Sequence, residues 1–309
     1  MADAGAEVSA RKLARGLWLM ARPSQVALIV LVYALGLSMA AGLGSRLEPS
    51  TAFWGLLPLL PSAASVHYAN EYADYETDAL TTRTPFSGGS GAFVETELPR
   101  RTALAASVVA GAVGLGLLVA VGPRSVAAVG LLLAILLAGW QYSLPPLQFA
   151  WHGLGALTNA LIGGVLLPLY GYAVVTDTVT TTAALATIPF ALVVFVNLLE
   201  TTWPDRSADA AVGKRTLVAR LPVRSVRALY VVGSVAAAGS VLVLAGSVLP
   251  LPVAVVTLAP MVGLAWGIAR FTRREAPLPA VLTMVVVAAA STAGWLAVAM
   301  EHGTLPAIG

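Results

Sequence analysis

Cysteine is absent from this chain, and charged residues are scarce. Without a thiol, the protein has no disulfide, no thiolate metal ligand and no cysteine nucleophile. Only 11% of the 309 residues are charged, against roughly 25% in an average soluble domain, and 58% are hydrophobic. The net charge of +3 is too small to indicate a nucleic-acid partner. This composition predicts an all-α, polytopic membrane protein that contacts membrane lipid.

Apolar stretches of about 20 residues, the length needed to cross a bilayer, recur along most of the chain. The pattern predicts a bundle or barrel of nine transmembrane helices. The predicted spans are 25–44, 52–73, 102–122, 125–144, 155–175, 181–203, 225–247, 250–270 and 278–300. We expect one domain over 25–300, made of two four-helix repeats and a ninth helix. It lies between a cytoplasmic segment, 1–24, and a tail, 301–309.

Lysine and arginine are distributed unevenly around these spans. If the N-terminus is cytoplasmic, all of the 18 basic residues except Arg46 and Arg124 fall on the cytoplasmic side. Cytoplasmic loops of membrane proteins carry such an excess of Lys and Arg. We therefore expect a multi-pass protein of the cell membrane with its N-terminus in the cytoplasm.

Acidic residues collect at the end of the second span. Asn70, Asp74 and Asp78 are spaced by four residues, so they share one face if the helix continues. Glu71 lies near that stripe. Carboxylate and amide oxygens are the ligands that Mg²⁺ prefers. Since acids at membrane depth are costly, their presence favours a functional site over a solvated helix end.

A second acidic pair, Asp205 and Asp209, closes the sixth span. Pro204 is expected to interrupt the helix there or to start a new one. Lys214 and Arg215 follow and offer positive charge to phosphate oxygens, although ordinary topology signals are the alternative. Both pairs emerge on the cytoplasmic side in the predicted topology. The sequence therefore predicts a single cage for divalent cations and a diphosphate.

Five other residues are candidates for substrate binding. Arg83 and Ser87 belong to a loop rich in glycine and hydroxyl groups, where backbone N–H groups can approach phosphate. Arg22 opens the first span, and Tyr142 closes the fourth; an interface anchor and an aromatic belt are the alternatives. Asn159 is polar inside the fifth span, where it contacts substrate or bonds to another helix.

These residues resemble the UbiA-type intramembrane prenyltransferases over about residues 20–300. The first family signature, Asn-x-x-x-Asp-x-x-x-Asp, corresponds to 70–78, and the second, Asp-x-x-x-Asp, corresponds to 205–209, followed by Gly-Lys-Arg-Thr at 213–216. Arg-Pro at 22–23 and Tyr-Ser-x-Pro-Pro-Leu at 142–147 are further similarities. The loop after the first motif is most similar to the branch that prenylates dihydroxynaphthoate in menaquinone synthesis.

The resemblance implies a helical barrel that opens laterally to lipid. It implies that Asp74, Asp78, Asp205 and Asp209, with Asn70, bind Mg²⁺ on the diphosphate of an allylic polyprenyl donor. An aromatic acceptor, 1,4-dihydroxy-2-naphthoate or a related quinone precursor, then takes the prenyl group. Two positions depart from the family pattern and concern the acceptor. Thr201 stands where many relatives carry Asn, and Ala156 stands where many carry Glu.

Two other functions stay open at this point. A UbiA-type terpene cyclase would ionise the same donor and use the double bond of the chain itself as nucleophile. A secondary transporter is a different class, but its charges usually lie near the membrane midplane. The acids of this chain lie at one end of the spans.

Overall fold

The computed structural model describes residues 9–83 and 88–305, and all regular secondary structure in those ranges is helical. The α-helices are α1 (Ala10–Met20), α2 (Pro23–Gly42), α3 (Pro49–Ala73), α4 (Tyr75–Leu80), α5 (Ala92–Thr96), α6 (Arg101–Ala120), α7 (Val126–Ser143), α8 (Gly155–Leu161), α9 (Leu167–Thr176), α10 (Thr181–Thr202), α11 (Arg206–Ala211), α12 (Leu217–Arg220), α13 (Val223–Leu244), α14 (Leu251–Leu258), α15 (Val262–Arg270) and α16 (Leu278–Glu301).

Within the described residues, eight helical stretches are long and apolar enough to cross a membrane. They contain 18 to 24 residues each and have mean hydropathies between 1.5 and 2.3. They are α2, α6, α7, α8 with α9, α10, α13, α14 with α15, and α16. The all-α polytopic fold and eight of the nine predicted spans are thereby confirmed.

The second predicted span lies in α3, which is less apolar because it contains prolines, serines, His67 and Asn70. Its path nevertheless crosses the bundle. The start of α3 lies beside the end of α2, and the Arg22–Glu71 ion pair joins the opposite ends of the two helices. A helix of 25 residues rises about 37 Å, so α3 returns across the same thickness as α2.

Two of the membrane-crossing stretches are irregular at their middle. A π-helical segment, Ile162–Leu166, joins α8 to α9, and a 3-10 segment, Ala259–Met261, joins α14 to α15. A proline accompanies each irregularity: Pro168 lies two positions after the π-helical segment, and Pro260 lies within the 3-10 segment. Proline has no N–H to donate, and its ring clashes with the carbonyl four residues earlier, so the regular α-helical pattern is broken there.

Glycine allows α2 and α9 to pack backbone against backbone. A Cβ atom on Gly36 would overlap the carbonyl oxygen of Pro168, and one on Gly171 would overlap the carbonyl oxygen of Tyr33. In lipid, helices associate through such close van der Waals contact because water-driven hydrophobic attraction is missing. This contact brings the first half of the bundle against the fifth predicted span.

The substitution Gly171→Ala is expected to destabilise the protein by about 1–3 kcal/mol, because a methyl group forced into a packed interface displaces backbone. The matched control is Gly130→Ala on α7, where a Cβ would meet no atom within 4 Å. Thermal unfolding in detergent, followed by intrinsic tryptophan fluorescence, measures both variants. Equal melting temperatures for the two variants would contradict this packing.

Candidate active site

The two acidic motifs meet at one end of the bundle. Asp74 lies between α3 and α4, Asp205 directly precedes α11, and α4 packs against α11. The Nζ atom of Lys214 lies 2.7 Å from Oδ1 of Asp74 and 3.5 Å from Oδ1 of Asp209. An ammonium group therefore bridges one carboxylate of each motif.

Hydrogen bonds orient the carboxylate of Asp74. Its Oδ2 accepts from the Nδ2 of Asn70 at 2.9 Å, and the same nitrogen lies 3.2 Å from the hydroxyl of Ser143. Asn70 and Asp74 face the same way because the Asp74 N–H still bonds to the Asn70 carbonyl at 2.9 Å. The helix ends at Ala73, so the predicted continuous stripe bends at Asp74 before it reaches Asp78.

The second motif has unsatisfied oxygens. Asp209 is 1% exposed, and its Oδ2 accepts from the hydroxyl of Thr216 at 3.1 Å. Its Oδ1 is buried with only the 3.5 Å ion pair to Lys214, and Oδ1 of Asp205 is buried without a hydrogen-bond partner in the described part of the chain. Pro204 separates α10 from α11, and a new helix begins after Asp205. This is one of the two arrangements that the sequence predicted at Pro204. Buried carboxylate oxygens without partners are suited to a cation.

Arg22 and the glycine loop are tied together by a buried acid. Glu71 is 1% exposed; its Oε1 accepts from Nε of Arg22 at 2.8 Å, and its Oε2 accepts from the hydroxyl of Ser90 at 2.6 Å. Arg22 has a positive φ of 53°, which this ion pair holds in place. The first role of Arg22 in the structure is therefore to neutralise Glu71.

Burial and a neighbouring negative charge raise the pKa values of Asp78 and Asp205 towards neutral pH. Burial and the charge of Asp74 raise the pKa of Asp78 to about 8. Burial and the charge of Asp209 raise the pKa of Asp205 to about 7. Burial by itself would lower the pKa of Lys214, but Asp74 and Asp209 outweigh it and hold that pKa well above its ordinary value. The site favours extra positive charge.

Glycines allow the loop after α4 to close over the first motif. Gly89 and Gly91 have φ values of 70° and 77°. A Cβ atom on Gly89 would overlap Oδ2 of Asp78, and one on Gly91 would overlap the guanidinium of Arg83. The exposed Arg83 therefore lies at the loop, close to the acids. Ser87 lies outside the described residues.

Of the remaining predicted residues, Tyr142 borders the site, whereas Arg215 and Asn159 have no described bond to its acids. The hydroxyl of Tyr142 lies close to Gly155, and Tyr142 is among the groups that act electrostatically on Lys214, so it borders the site. Arg215 is exposed, and its backbone N–H bonds to the carbonyl of Trp151 at 2.9 Å. Asn159 is half-buried on α8, three positions before the π-helical segment begins at Ile162.

The sequence analysis missed three hydroxyl residues that bond to acids or to the amide of the two motifs. They are Ser90, which bonds to Glu71, Ser143, which bonds to Asn70, and Thr216, which bonds to Asp209. Glu200, an acid within α10, bonds to a residue of another helix and not to a residue of the site. It is 4% exposed and accepts a 2.6 Å hydrogen bond from the hydroxyl of Tyr230, whose ring stacks on Phe271 at 4.5 Å. A single serine or threonine at a helix end or in a loop has no sequence spacing that marks it as a site residue. These hydrogen-bond partners are therefore seen only in the folded structure.

The residues present fit a divalent cation that is shared with a ligand. In residues 9–83 and 88–305, no group of three acidic or histidine side chains converges closely enough to hold a metal alone. Mg²⁺ usually takes one or two carboxylates, several waters and substrate phosphate oxygens. The unpartnered Oδ1 of Asp205 and the weakly paired Oδ1 of Asp209, 3.5 Å from Lys214, match such an incomplete, oxygen-only shell.

A helical membrane fold with an acidic, oxygen-rich site at one end defines an integral membrane protein with cation- and anion-binding chemistry. The sequence profile of the UbiA prenyltransferase family matches residues 29–287. The chain belongs to the UbiA prenyltransferase family, and it is therefore a prenyltransferase. No curated protein sequence is similar enough to match this chain.

Several solved structures have a similar fold. A UbiA homologue from Archaeoglobus fulgidus bound to GPP and Mg²⁺ is 20% identical, with a TM-score of 0.67 over 92% of this chain and 99% of that chain. The same homologue bound to DMAPP and Mg²⁺ is 20% identical, with a TM-score of 0.66 over the same shares. A digeranylgeranylglyceryl phosphate synthase is 10% identical, with a TM-score of 0.62 over 94% and 99%.

Metal-free protein is expected to lose thermal stability as the pH rises from about 4 to about 8. The folded pKa values of Asp78 and Asp205 exceed those of an unfolded chain, so these carboxyls favour folding at low pH. That contribution begins to fall above the unfolded pKa of about 4, and it is gone once the pH exceeds about 7 for Asp205 and about 8 for Asp78. The melting temperature in EDTA, measured across this range, tests the expectation.

The Asp78→Asn, Asp205→Asn double variant is expected to show a flatter pH dependence, because neither group then titrates. The control Glu301→Gln removes an exposed acid and should keep the wild-type slope. An unchanged slope in the double variant would show that other groups cause the loss.

Proposed function

We propose that this protein transfers a polyprenyl group from an allylic polyprenyl diphosphate to an aromatic acceptor in the membrane, in a Mg²⁺-dependent reaction. The single observation that carries the proposal is the meeting of two acidic motifs around Lys214, with Lys214 Nζ 2.7 Å from Asp74. We further propose 1,4-dihydroxy-2-naphthoate, a menaquinone precursor, as the acceptor. The glycine-rich loop after the first motif, which resembles that branch of the family, supports this choice.

The chain offers a consistent set of groups for Mg²⁺. The groups that would hold it are Asn70, Asp74, Asp78, Asp205 and Asp209, and Oδ1 of Asp205 and Oδ1 of Asp209 accept no hydrogen bond from the described residues. Two structures of similar fold contain Mg²⁺ with GPP or DMAPP, which supports the same pairing of metal and diphosphate here. Bound Mg²⁺ would supply positive charge to the diphosphate oxygens.

The basic side chains of the site would bind the diphosphate directly. The ammonium of Lys214 has three N–H donors, and Asp74 takes one of them at 2.7 Å. A remaining donor is available to a phosphate oxygen. Arg83 lies beside the glycine loop, where it can neutralise charge that builds on the leaving diphosphate. Arg22 contributes a positive charge from behind Glu71.

The surroundings of the site suit a reactive allylic cation. The glycine loop is held down through Ser90 and Glu71, so water has restricted access to the first motif from that side. An electron-rich aromatic ring then attacks the cation and loses a proton. The membrane-spanning helices keep the apolar tail of the donor in contact with lipid.

We propose that this end of the bundle faces the cytoplasm. The basic residues Arg22, Arg100, Arg101, Arg270 and Lys214 lie at the helix ends on the same side as the acidic motifs. An excess of Lys and Arg on that side supports a cytoplasmic N-terminus and a cytoplasmic site.

Substitution of either motif is expected to abolish prenyl transfer while the protein remains folded. Asp74→Ala and Asp209→Ala each remove a carboxylate that faces Lys214, and we expect rates at least roughly 10²-fold lower. Glu76→Gln is the matched control, since Glu76 is an exposed acid that pairs with Arg100 instead. Transfer is measured by product mass with excess Mg²⁺. Full activity in either alanine variant, or of wild type in EDTA, contradicts the proposal.

The acceptor is tested by supplying geranylgeranyl diphosphate and Mg²⁺ with and without dihydroxynaphthoate. We expect a prenylated naphthoate only in the first mixture and little diphosphate release in the second, because the cation needs an aromatic nucleophile. Release of diphosphate at the same rate without acceptor, together with a cyclic hydrocarbon product, would instead identify a terpene cyclase. Prenylation of another aromatic compound would leave the diphosphate chemistry intact and correct the acceptor.

A further inference from the structure

A cavity of about 500 Å³ lies at the end of the bundle opposite the acidic motifs. It opens between the start of α3, the turn from α6 to α7 and the end of α9, with Trp54, Arg124 and Asp177 in its lining. Small-molecule sites typically measure about 300–1,000 Å³. No residue of the proposed reaction lines this cavity, so it is separate from the acidic site.

The cavity presents two opposite charges that do not neutralise each other. Arg124 and Asp177 are both exposed and both line it, yet neither belongs to an ion pair within the described ranges. By comparison, Arg46 at the same end of the bundle pairs with Glu48 at 2.7 Å. An unpaired cation and anion facing one space are complementary to a ligand that carries both signs.

The walls of the cavity are fixed by hydrogen bonds. The hydroxyl of Tyr170 donates to the carbonyl of Gly55 at 2.6 Å, and the hydroxyl of Tyr33 donates to the carbonyl of Ala52 at 2.8 Å. These bonds attach the start of α3 to α2 and α9. Asp177 closes α9 with a positive φ of 59°, a conformation that aspartate and asparagine tolerate. The two α-helical walls of the cavity are therefore bonded to the same part of the bundle.

The exposed residues around the cavity indicate its depth in the membrane. Phe53 and Trp54 form an edge-to-face pair and are 55% and 44% exposed. Aromatic rings concentrate at the level of lipid headgroups. Val119 and Val126, on either side of the α6–α7 turn, are almost fully exposed, as expected for side chains that face acyl chains. Charges in the cavity are thus at headgroup level, with an apolar surface beside them.

We propose that this cavity binds the headgroup of a phospholipid with a primary amine, of the phosphatidylethanolamine class. The guanidinium of Arg124 binds the phosphate, for which its fork of donors is suited. The carboxylate of Asp177 accepts hydrogen bonds from the ammonium group. A quaternary ammonium has no N–H to donate, so phosphatidylcholine lacks the second interaction.

The test uses full-length protein purified in detergent and stripped of lipid, to which phosphatidylethanolamine or phosphatidylcholine with identical acyl chains is added. Native mass spectrometry counts bound lipid. We expect roughly tenfold preferential retention of phosphatidylethanolamine by wild type, and loss of that preference in Arg124→Gln and in Asp177→Asn. The second variant keeps the backbone conformation of Asp177. Arg46→Gln is the control and should retain wild-type preference.

Equal retention of the two lipids by wild type would overturn the proposal, and so would an unchanged preference in both variants. Phosphoethanolamine, which has the headgroup chemistry without acyl chains, is the third ligand. We expect no rise in melting temperature from it at concentrations where the lipid stabilises the protein. Equal stabilisation by phosphoethanolamine would overturn the assignment to a lipid and indicate a soluble ligand.

Discussion

The ion pair between Lys214 and Asp74 is the interaction on which the site depends. It joins the loop after the second motif to the end of the first, and without it four buried or half-buried carboxylates would repel one another across a medium of low dielectric constant. The pair also explains why the acids can exist at this depth at all. Burial disfavours their charged forms, as the raised pKa values of Asp78 and Asp205 indicate. The excess of carboxylates over positive groups costs stability in the free protein, and the same excess of negative charge favours binding of a cation.

A second set of contacts positions the loop that covers this site. Both carboxylate oxygens of Glu71 already accept hydrogen bonds from Arg22 or Ser90. The role of Glu71 is therefore to attach the start of α2 and the glycine loop to α3. Gly89 is needed because any side chain there would overlap Asp78. Acid, base and loop are therefore assembled as one unit, and in the proposed reaction a diphosphate with Mg²⁺ would meet groups that are already oriented. Preorganisation of this kind lowers the reorganisation needed during bond cleavage.

Much of this arrangement could be predicted from the sequence, because the length of the apolar stretches and the spacing of the acids follow directly from the geometry of helices in a membrane. Long apolar stretches must be helices in lipid, and eight of nine were confirmed; α3 differs because its prolines and polar residues reduce its hydropathy. Four-residue spacing located both acidic motifs, and the structure brings them together at Lys214. Spacing could not reveal which partner each side chain chooses. Arg22 pairs with Glu71, Arg215 faces outward, and Ser90 and Thr216 enter through loops whose paths depend on tertiary packing. The four-helix repeat stays a prediction.

The central claim is that two motifs, 131 residues apart from Asp74 to Asp205, build one diphosphate site. The most direct test is a double-mutant cycle on the Mg²⁺-dependent affinity for a non-reactive prenyl thiodiphosphate, with Asp78→Asn, Asp205→Asn and the double variant. Groups that act on one shared ligand couple, so the loss in the double variant should be clearly smaller than the two single losses combined. Strictly additive losses would mean that the motifs act independently, and would contradict a shared site.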